Sequence, residues 1–192
     1  FTSDIKFNGT VTIPANPIQI QGDGALISGG NINFTKAVNI TDVLSTASSP
    51  KSIYIQQGNT TMAGGITISN ANAPFTAGME IRGDNVIPTS FDIASITASN
   101  NNAYGLWINN KITSGIISGT VNISKTNRNY SGGVATNVDQ PYGIKVDLAA
   151  TPVFNGAVVI SDVQITSGAN LGLGTGIDIK SNAYAKFNST VD

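Results

Sequence analysis

The sequence contains no cysteine and no histidine, and charged residues make up only 11% of its 192 positions. Without cysteine there is no disulfide framework and no thiolate metal site, and without histidine the commonest metal ligand and general base is missing. The ten basic residues are scattered and the net charge is −1, so no basic stripe follows a nucleic-acid backbone. We therefore expect no metal, no cofactor and no nucleic-acid partner. The sequence also lacks a signal peptide or transmembrane segment, so we expect no direct membrane insertion of this segment.

Isoleucine, valine, threonine and asparagine are abundant, and 21 glycines are spread along the chain. This mixture favours strands and turns over helices, and no window keeps a 3.6-residue apolar period for more than two turns. Apolar residues make up 40% of the chain, enough for one core. The composition predicts an all-β protein whose solubility depends on Asn, Ser and Thr.

Two short motifs alternate along the chain. The first reads Gly-apolar-x-apolar and begins at Gly24, Gly65, Gly105, Gly143 and Gly176. The second reads Phe-x-x-small-apolar-x-apolar and begins at Phe7, Phe34, Phe75, Phe154 and Phe187, with Ile117 in the Phe place once. Further apolar-x-apolar segments lie at Ile18–Ile20, Ile53–Ile55, Ile93–Ile96 and Val163–Ile165.

The interval between the motifs is nearly constant, while the full repeat varies from 33 to 41 residues. Stacked repeats produce this pattern because core strands must align while loops vary. The spacing predicts a single-stranded parallel β-helix, or solenoid, with about three short strands per turn. We expect residues 1–192 to form one such domain and to be a fragment of a longer β-helix.

The Tyr142-Gly143-Ile144 and Phe154–Ile160 strands, together with Asn/Ser/Thr-rich turns, resemble the passenger domains of bacterial autotransporters (type V secretion). The resemblance is architectural and covers the whole chain. It implies a right-handed β-helix, a location at the bacterial cell surface (outer membrane-anchored through a missing C-terminal part) or in the secreted fraction, and a role in cell adhesion, biofilm formation or virulence. The implied partners are a host glycan, a matrix or cell-surface protein, or a second copy of the protein.

Trp107 is the only tryptophan, and strand alternation places it outward between Leu106 and Ile108. An exposed indole is a platform for a sugar ring or an apolar partner patch. Tyr104 and Asn109 are close in sequence and can supply hydrogen bonds to hydroxyl groups. We therefore predict a binding site at these three residues, with a covering loop between Thr126 and Gln140 as the alternative.

Arg82-Gly83-Asp84 directly follows a predicted strand. This tripeptide resembles the integrin-binding motif of adhesive proteins, in which a guanidinium and a carboxylate are displayed on a tight loop. A chance turn containing glycine explains the same three residues. We include Arg82, Gly83 and Asp84 among the predicted binding residues.

The acidic residues show no catalytic pattern. Glycan hydrolysis needs two carboxyl groups about 5–9.5 Å apart, whereas most of the ten aspartates and the single glutamate are isolated in the sequence. The sequence therefore favours a non-enzymatic adhesin. Two alternatives stay open: a polysaccharide-acting β-helix enzyme, such as a lyase or tailspike-like hydrolase, and a passive stalk. Clustered carboxylates on one face would favour the enzyme.

Overall fold

The computed structural model describes residues 5–7, 11–13, 18–19, 24–28, 32–34, 37–44, 51–55, 59–62, 64–73, 76–82, 85–88, 91–98, 102–109, 116–117, 119–129, 140–167 and 172–192. In these residues the chain forms 22 strands and no helix, which confirms the all-β prediction. Accordingly, the described residues include no helix that is long and apolar enough to cross a membrane.

The strands form four sheets. Sheet A has the order β1 (Ile5–Phe7), β5 (Ile32–Phe34), β8 (Asn59–Met62) and β11 (Asn85–Pro88). Sheet B has the order β2 (Val11–Ile13), β6 (Val38–Leu44), β9 (Ile66–Ala73), β12 (Phe91–Ala98), β15 (Val121–Asn129), β19 (Gln164–Ser167) and β20 (Gly172–Leu173), with β3 (Ile18–Gln19) paired to β6 and β18 (Val158–Ser161) paired to β15. Sheet C has the order β21 (Thr175–Ile179), β16 (Pro141–Asp147), β13 (Ala103–Asn109), β10 (Thr76–Ile81), β7 (Lys51–Ile55) and β4 (Gly24–Ser28). Sheet D has the order β14 (Ile116–Ile117), β17 (Val153–Phe154) and β22 (Lys186–Phe187).

Apart from the antiparallel pair β19–β20, the described strands pair in parallel. The interval between residues paired in parallel runs from 25, for Ile66 and Phe91, to 38, for Leu106 and Ile144. The chain visits the sheets in a fixed order: β7, β8 and β9 lie in sheets C, A and B, and β10, β11 and β12 repeat that order. Most strands therefore pair with a counterpart in a neighbouring repeat, although sheet A ends at β11 and a separate sheet D begins at β14.

The sequence motifs were assigned to the wrong sheets in the middle of the chain. Ile66, placed in the Gly motif, pairs with Val38 and Phe91 in sheet B. Met79, placed in the Phe motif, pairs with Ile53 and Leu106 in sheet C. Both segments follow a glycine and read apolar-x-apolar, so the pattern alone does not distinguish them. The corrected interval between sheet C strands is 26 residues from Ile53 to Met79, below the predicted minimum of 33.

The Phe positions were assigned correctly at both ends of the chain. Phe7 pairs with Phe34 in sheet A, and Ile117 pairs with Phe154 in sheet D. Phe187 continues the second series: its ring stacks on that of Phe154, with centroids 4.9 Å apart and planes 8° from parallel. Phe75 lies outside the described residues.

The Gly motif has a steric cause in sheet C. A Cβ on Gly105 would lie 2.7 Å from the carbonyl oxygen of Gly143 and 2.5 Å from Cγ2 of Ile123. A Cβ on Gly143 would lie equally close to the carbonyl oxygen of Gly176 and to Cγ2 of Ile160. Only glycine lets the backbone of one strand approach the next strand and sheet B this closely.

The long strands of sheet B bend at residues with left-handed backbone conformation. Asn70 and Lys125 have φ angles of 57° and 54°, and Asp162, between β18 and β19, has a φ of 54°. Asn and Asp tolerate this region better than other non-glycine residues do. At Asn70 and Lys125 the alternation of buried and exposed side chains is interrupted, since Ile68 and Ala71 are both buried, as are Ile123 and Thr126.

The core lies between the sheets and consists almost entirely of aliphatic side chains. Its fully buried members, with 0% exposure, include Ile40, Ile53, Ile68, Ile93, Leu106 and Ile144. Burying each such side chain contributes about 1.5–3 kcal/mol to the free energy of unfolding. Successive core residues come from neighbouring strands. Their packing fixes how the strands of sheet C align, and therefore which side chains lie beside one another on the opposite face of that sheet.

Candidate binding face on sheet C

The side of sheet C that faces away from the aliphatic core carries a dense group of ionic and aromatic side chains. We call this group the ionic–aromatic array. It comprises Lys51, Tyr54, Glu80, Arg82, Tyr104, Trp107, Asn109, Tyr142, Lys145, Asp147, Asp178 and Lys180.

Alternation along β13 places Trp107 in the array. Leu106 and Ile108 are fully buried in the core, while Trp107 between them is half-buried on the opposite face. The predicted outward direction of Trp107 agrees with this geometry. Across the sheet, Glu80, Trp107 and Lys145 occupy equivalent register positions, so they form one row.

The indole of Trp107 is held by Tyr104 and Asp147. Its ring stacks on that of Tyr104, with centroids 4.8 Å apart and planes 29° from parallel. Tyr104 stacks in turn on Tyr142 of the next strand at 5.4 Å. The Trp107 Nε1–H donates to Oδ2 of Asp147 at 3.1 Å. These contacts engage one ring face and the N–H, and they therefore fix the orientation of the indole.

Lys145 links the aromatic and acidic parts of the array. Its Nζ lies 4.8 Å from the ring centroid of Tyr142 and 5.3 Å from that of Tyr104. The same atom lies 3.6 Å from Oδ2 of Asp147. Cation–π contacts with two rings restrain a side chain that would otherwise be flexible.

Glu80 is the centre of a second cluster and is fully buried. Its Oε1 accepts hydrogen bonds from Nε of Arg82 at 2.6 Å and from the side-chain amide of Asn109 at 2.8 Å. Its Oε2 lies 3.2 Å from Nζ of Lys51, which is close enough for an ion pair although the groups are not aligned as a hydrogen bond. Tyr54 completes the cluster, because both cations lie over its ring, at 4.7 Å for Lys51 and 5.3 Å for Arg82. A buried carboxylate is stable when cations and amide donors surround it in this way.

Asp178 and Lys180 extend the array to β21. The Lys180 Nζ lies 3.2 Å from Oδ2 of Asp178. The hydrogen bond and the charge of Asp178 raise the pKa of Lys180 above the ordinary lysine value of 10.5. The ammonium group of Lys180 is therefore charged over the whole physiological pH range.

The predicted binding residues are only partly brought together. Tyr104 is buried beneath Trp107, and Asn109 is buried against Glu80, so neither presents the hydrogen-bonding surface expected from the sequence. Arg82 belongs to the same array, but its Nε is engaged by Glu80. Gly83 and Asp84 lie outside the described residues, so the Arg-Gly-Asp loop stays a prediction. The same is true of most of the proposed covering loop, residues 130–139.

Sequence reasoning missed Lys51, Tyr54 and Glu80. Because Met79 was assigned to the wrong sheet, Glu80 was expected among the polar residues of sheet B, away from Trp107. Once Gly78-Met79-Glu80-Ile81 is recognised as a Gly motif, Glu80 takes its place beside Trp107. A Cβ on Gly78 would lie 2.8 Å from the carbonyl oxygen of Gly105. This close approach is the physical reason that the segment belongs to sheet C.

Within the described part of the chain, no three acidic side chains lie close enough together to hold a metal ion. The array is better suited to contact with a polar ligand, because it presents an oriented aromatic surface beside fixed donors and acceptors. Comparison with known proteins finds no family model, no curated protein and no solved structure that matches this chain.

Proposed function

We propose that residues 1–192 are a segment of a right-handed parallel β-helix from a bacterial surface or secreted adhesin of the autotransporter type. The order of the strands supports the coiled arrangement, because successive repeats return to sheet C, then to sheet A or, from β14 onward, to sheet D, and then to sheet B. A rod built in this way holds its surface side chains at regular intervals. The handedness and the secretion class follow from the resemblance in sequence.

The adhesin acts by binding. The observation that carries this proposal is the concentration of tyrosine, tryptophan and paired charges on the outer face of sheet C. In the outer row of sheet B, by contrast, the residues Thr67, Asp92, Asn122 and Val159 include no aromatic side chain and a single charge. Aromatic and ionic side chains held by a rigid sheet provide a pre-organised surface, which lowers the entropic cost of binding. The proposed partners are a host glycan, a matrix or cell-surface protein, or a second copy that joins cells into aggregates.

The test is binding of the purified chain to an array of glycans and matrix proteins, with Trp107→Ala measured in parallel. We expect a ligand whose binding to the Trp107→Ala variant is at least ten-fold weaker. Val159→Ala, which removes an exposed apolar side chain from sheet B, is the control and leaves binding unchanged. Absence of binding to every glycan and protein on the array contradicts the proposal and favours a passive stalk.

One observation favours a second candidate, a polysaccharide-acting enzyme. Glu80, Asp147 and Asp178 all lie on the outer face of sheet C, where the sequence had indicated only isolated acids. Each of them has a cationic partner within 3.6 Å, which fits a structural role. Release of reducing ends or of unsaturated uronates from a panel of polysaccharides, abolished by Asp147→Asn, would identify the enzyme.

A further inference from the structure

Residues at the ends of four neighbouring sheet C strands, or directly after those ends, form a row across the array. Arg82 follows Ile81, which pairs with Ile108, so Arg82 is level with Asn109. Asn109 pairs with Asp147. Lys180 follows Ile179, the partner of Val146, and its backbone N–H donates to the Val146 carbonyl. The strand-end row is therefore Arg82, Asn109, Asp147 and Lys180.

The two ends of the strand-end row are cationic and accessible. The side chain of Arg82 is 41% exposed and that of Lys180 is 52% exposed. The acids that hold them are much less accessible, since Glu80 is 0% exposed and Asp178 is 23% exposed. Positive charge is therefore presented to solvent, with the negative charge underneath. Strands in a sheet lie about 4.8 Å apart, so three spacings separate the Cα atoms of Arg82 and Lys180 by about 14 Å.

Between the two cations lie groups that suit a sugar chain. The half-buried Trp107 adjoins Asn109 along β13 and is fixed by Tyr104 and Asp147. Asp147 uses Oδ2 for its contacts with Trp107 and Lys145. An oriented aromatic ring beside a carboxylate suits the apolar faces and hydroxyl groups of a pyranose ring.

We infer that the strand-end row, with Trp107, binds an anionic polysaccharide that runs across the strands of sheet C. The inference rests on the proposed binding function and specifies the ligand of the same face. Carboxylate or sulfate groups of the chain would pair with Arg82 and Lys180, and a neutral part of the sugar backbone would lie over Trp107. Pyranose units are similar in length to the strand spacing, so about three units would span the row.

The test uses the full 192-residue chain and measures its affinity for heparin, for polygalacturonate oligomers and for dextran by calorimetry. We expect binding to at least one of the two anionic polymers and none to dextran. The affinity should fall steeply between low and high salt, because bound counterions are released from the polymer. Binding of heparin alone would identify sulfate as the recognised group, and binding of polygalacturonate alone would identify carboxylate.

Lys180→Gln is the decisive variant, because Lys180 is the more exposed cation and its loss does not disturb the buried Glu80 cluster. We expect about five-fold weaker binding, the effect of one exposed ion pair. Lys186→Gln removes the same charge from an exposed lysine of sheet D and leaves the affinity unchanged. Thermal unfolding of both variants checks that each is folded.

Two outcomes overturn the inference and separate it from the proposed function. If the chain binds a neutral glycan or a protein in a Trp107-dependent way, and Lys180→Gln and salt have no effect, the inference fails and the proposed function stands. If no polymer, glycan or protein binds, both fail. Equal effects of Lys180→Gln and Lys186→Gln also contradict the inference, since they show only a general charge effect.

Discussion

Trp107 donates its indole N–H to Asp147 at 3.1 Å across 40 residues of sequence, and the two residues lie on neighbouring strands of sheet C. The bond joins two successive repeats through their side chains. It also places the only tryptophan of the protein inside the ionic–aromatic array, so its fluorescence reports directly on that face.

Replacing Asp147 with alanine should lower the free energy of unfolding by about 1 kcal/mol, because a half-buried N–H donor loses its acceptor. Asp147→Asn keeps an acceptor oxygen, so its loss in the free energy of unfolding should be less than half that of the alanine variant. Urea unfolding followed by Trp107 fluorescence measures both. If the asparagine variant is as unstable as the alanine variant, the charge contact with Lys145 matters and the hydrogen bond does not.

Gly105→Ala should destabilise the protein by about 3 kcal/mol, at the upper end of the range for overpacking. The added Cβ would lie 2.7 Å from a backbone carbonyl oxygen, which has little freedom to move. Gly176→Ala is the matched control, because no atom lies within 4 Å of the corresponding Cβ position. Chemical denaturation of both variants decides the point, and equal stabilities would refute the steric role of the glycine.

Glu80→Ala should cost about 3 kcal/mol, since it leaves the charges of Lys51 and Arg82 without their shared carboxylate. The exposure of Arg82 keeps the loss in the lower part of the range for buried pairs. Asp92→Ala removes an exposed acid from sheet B and should change stability by less than about 0.5 kcal/mol. Thermal unfolding of the three proteins tests this, and a stable Glu80→Ala protein would show that the cluster is dispensable.

The pKa of Lys180 should lie above 10.5 in the folded protein and fall in the Asp178→Asn variant, because the hydrogen bond and the charge of Asp178 are the largest causes of the shift. A raised pKa means that the folded state favours the charged lysine. The Asp178 pair therefore stabilises the fold below the unfolded-state pKa, and this contribution disappears as the pH rises through the folded-state pKa. NMR titration of the lysine side chain measures the shift, and an unchanged pKa in Asp178→Asn would show that another group causes it.

The all-β character and the strand content were predictable because they depend on composition and on the alternation of apolar residues. The outward position of Trp107 followed from the buried Leu106 and Ile108 on either side, and the equivalence of Ile117 with Phe154 followed from fixed spacing. The exchange between Ile66 and Met79 was not avoidable from pattern alone, since both sheets use the same apolar-x-apolar strands. Their assignment depends on which glycine must lie against a neighbouring backbone, which is a property of three-dimensional contact.

The site was predictable only in part for the same reason. The middle positions of the predicted Gly motifs include Thr67, Trp107, Lys145 and Asp178, and the structure places all of these except Thr67 in one row of sheet C. Glu80 was expected in a sheet B strand instead, so the buried cluster around it was not predicted. The expected accessibility of Tyr104 also failed, because the sequence does not reveal that the ring of Trp107 lies over it.

The short interval between paired strands has a consequence for how the chain acquires its structure. Parallel partners are 25 to 38 residues apart at every described pairing, from the first repeats to the last. No early segment has to wait for a distant one, so each newly available stretch of chain can add to the structure already formed. Such a molecule can gain order progressively from one end to the other, with each added repeat serving as the template for the next.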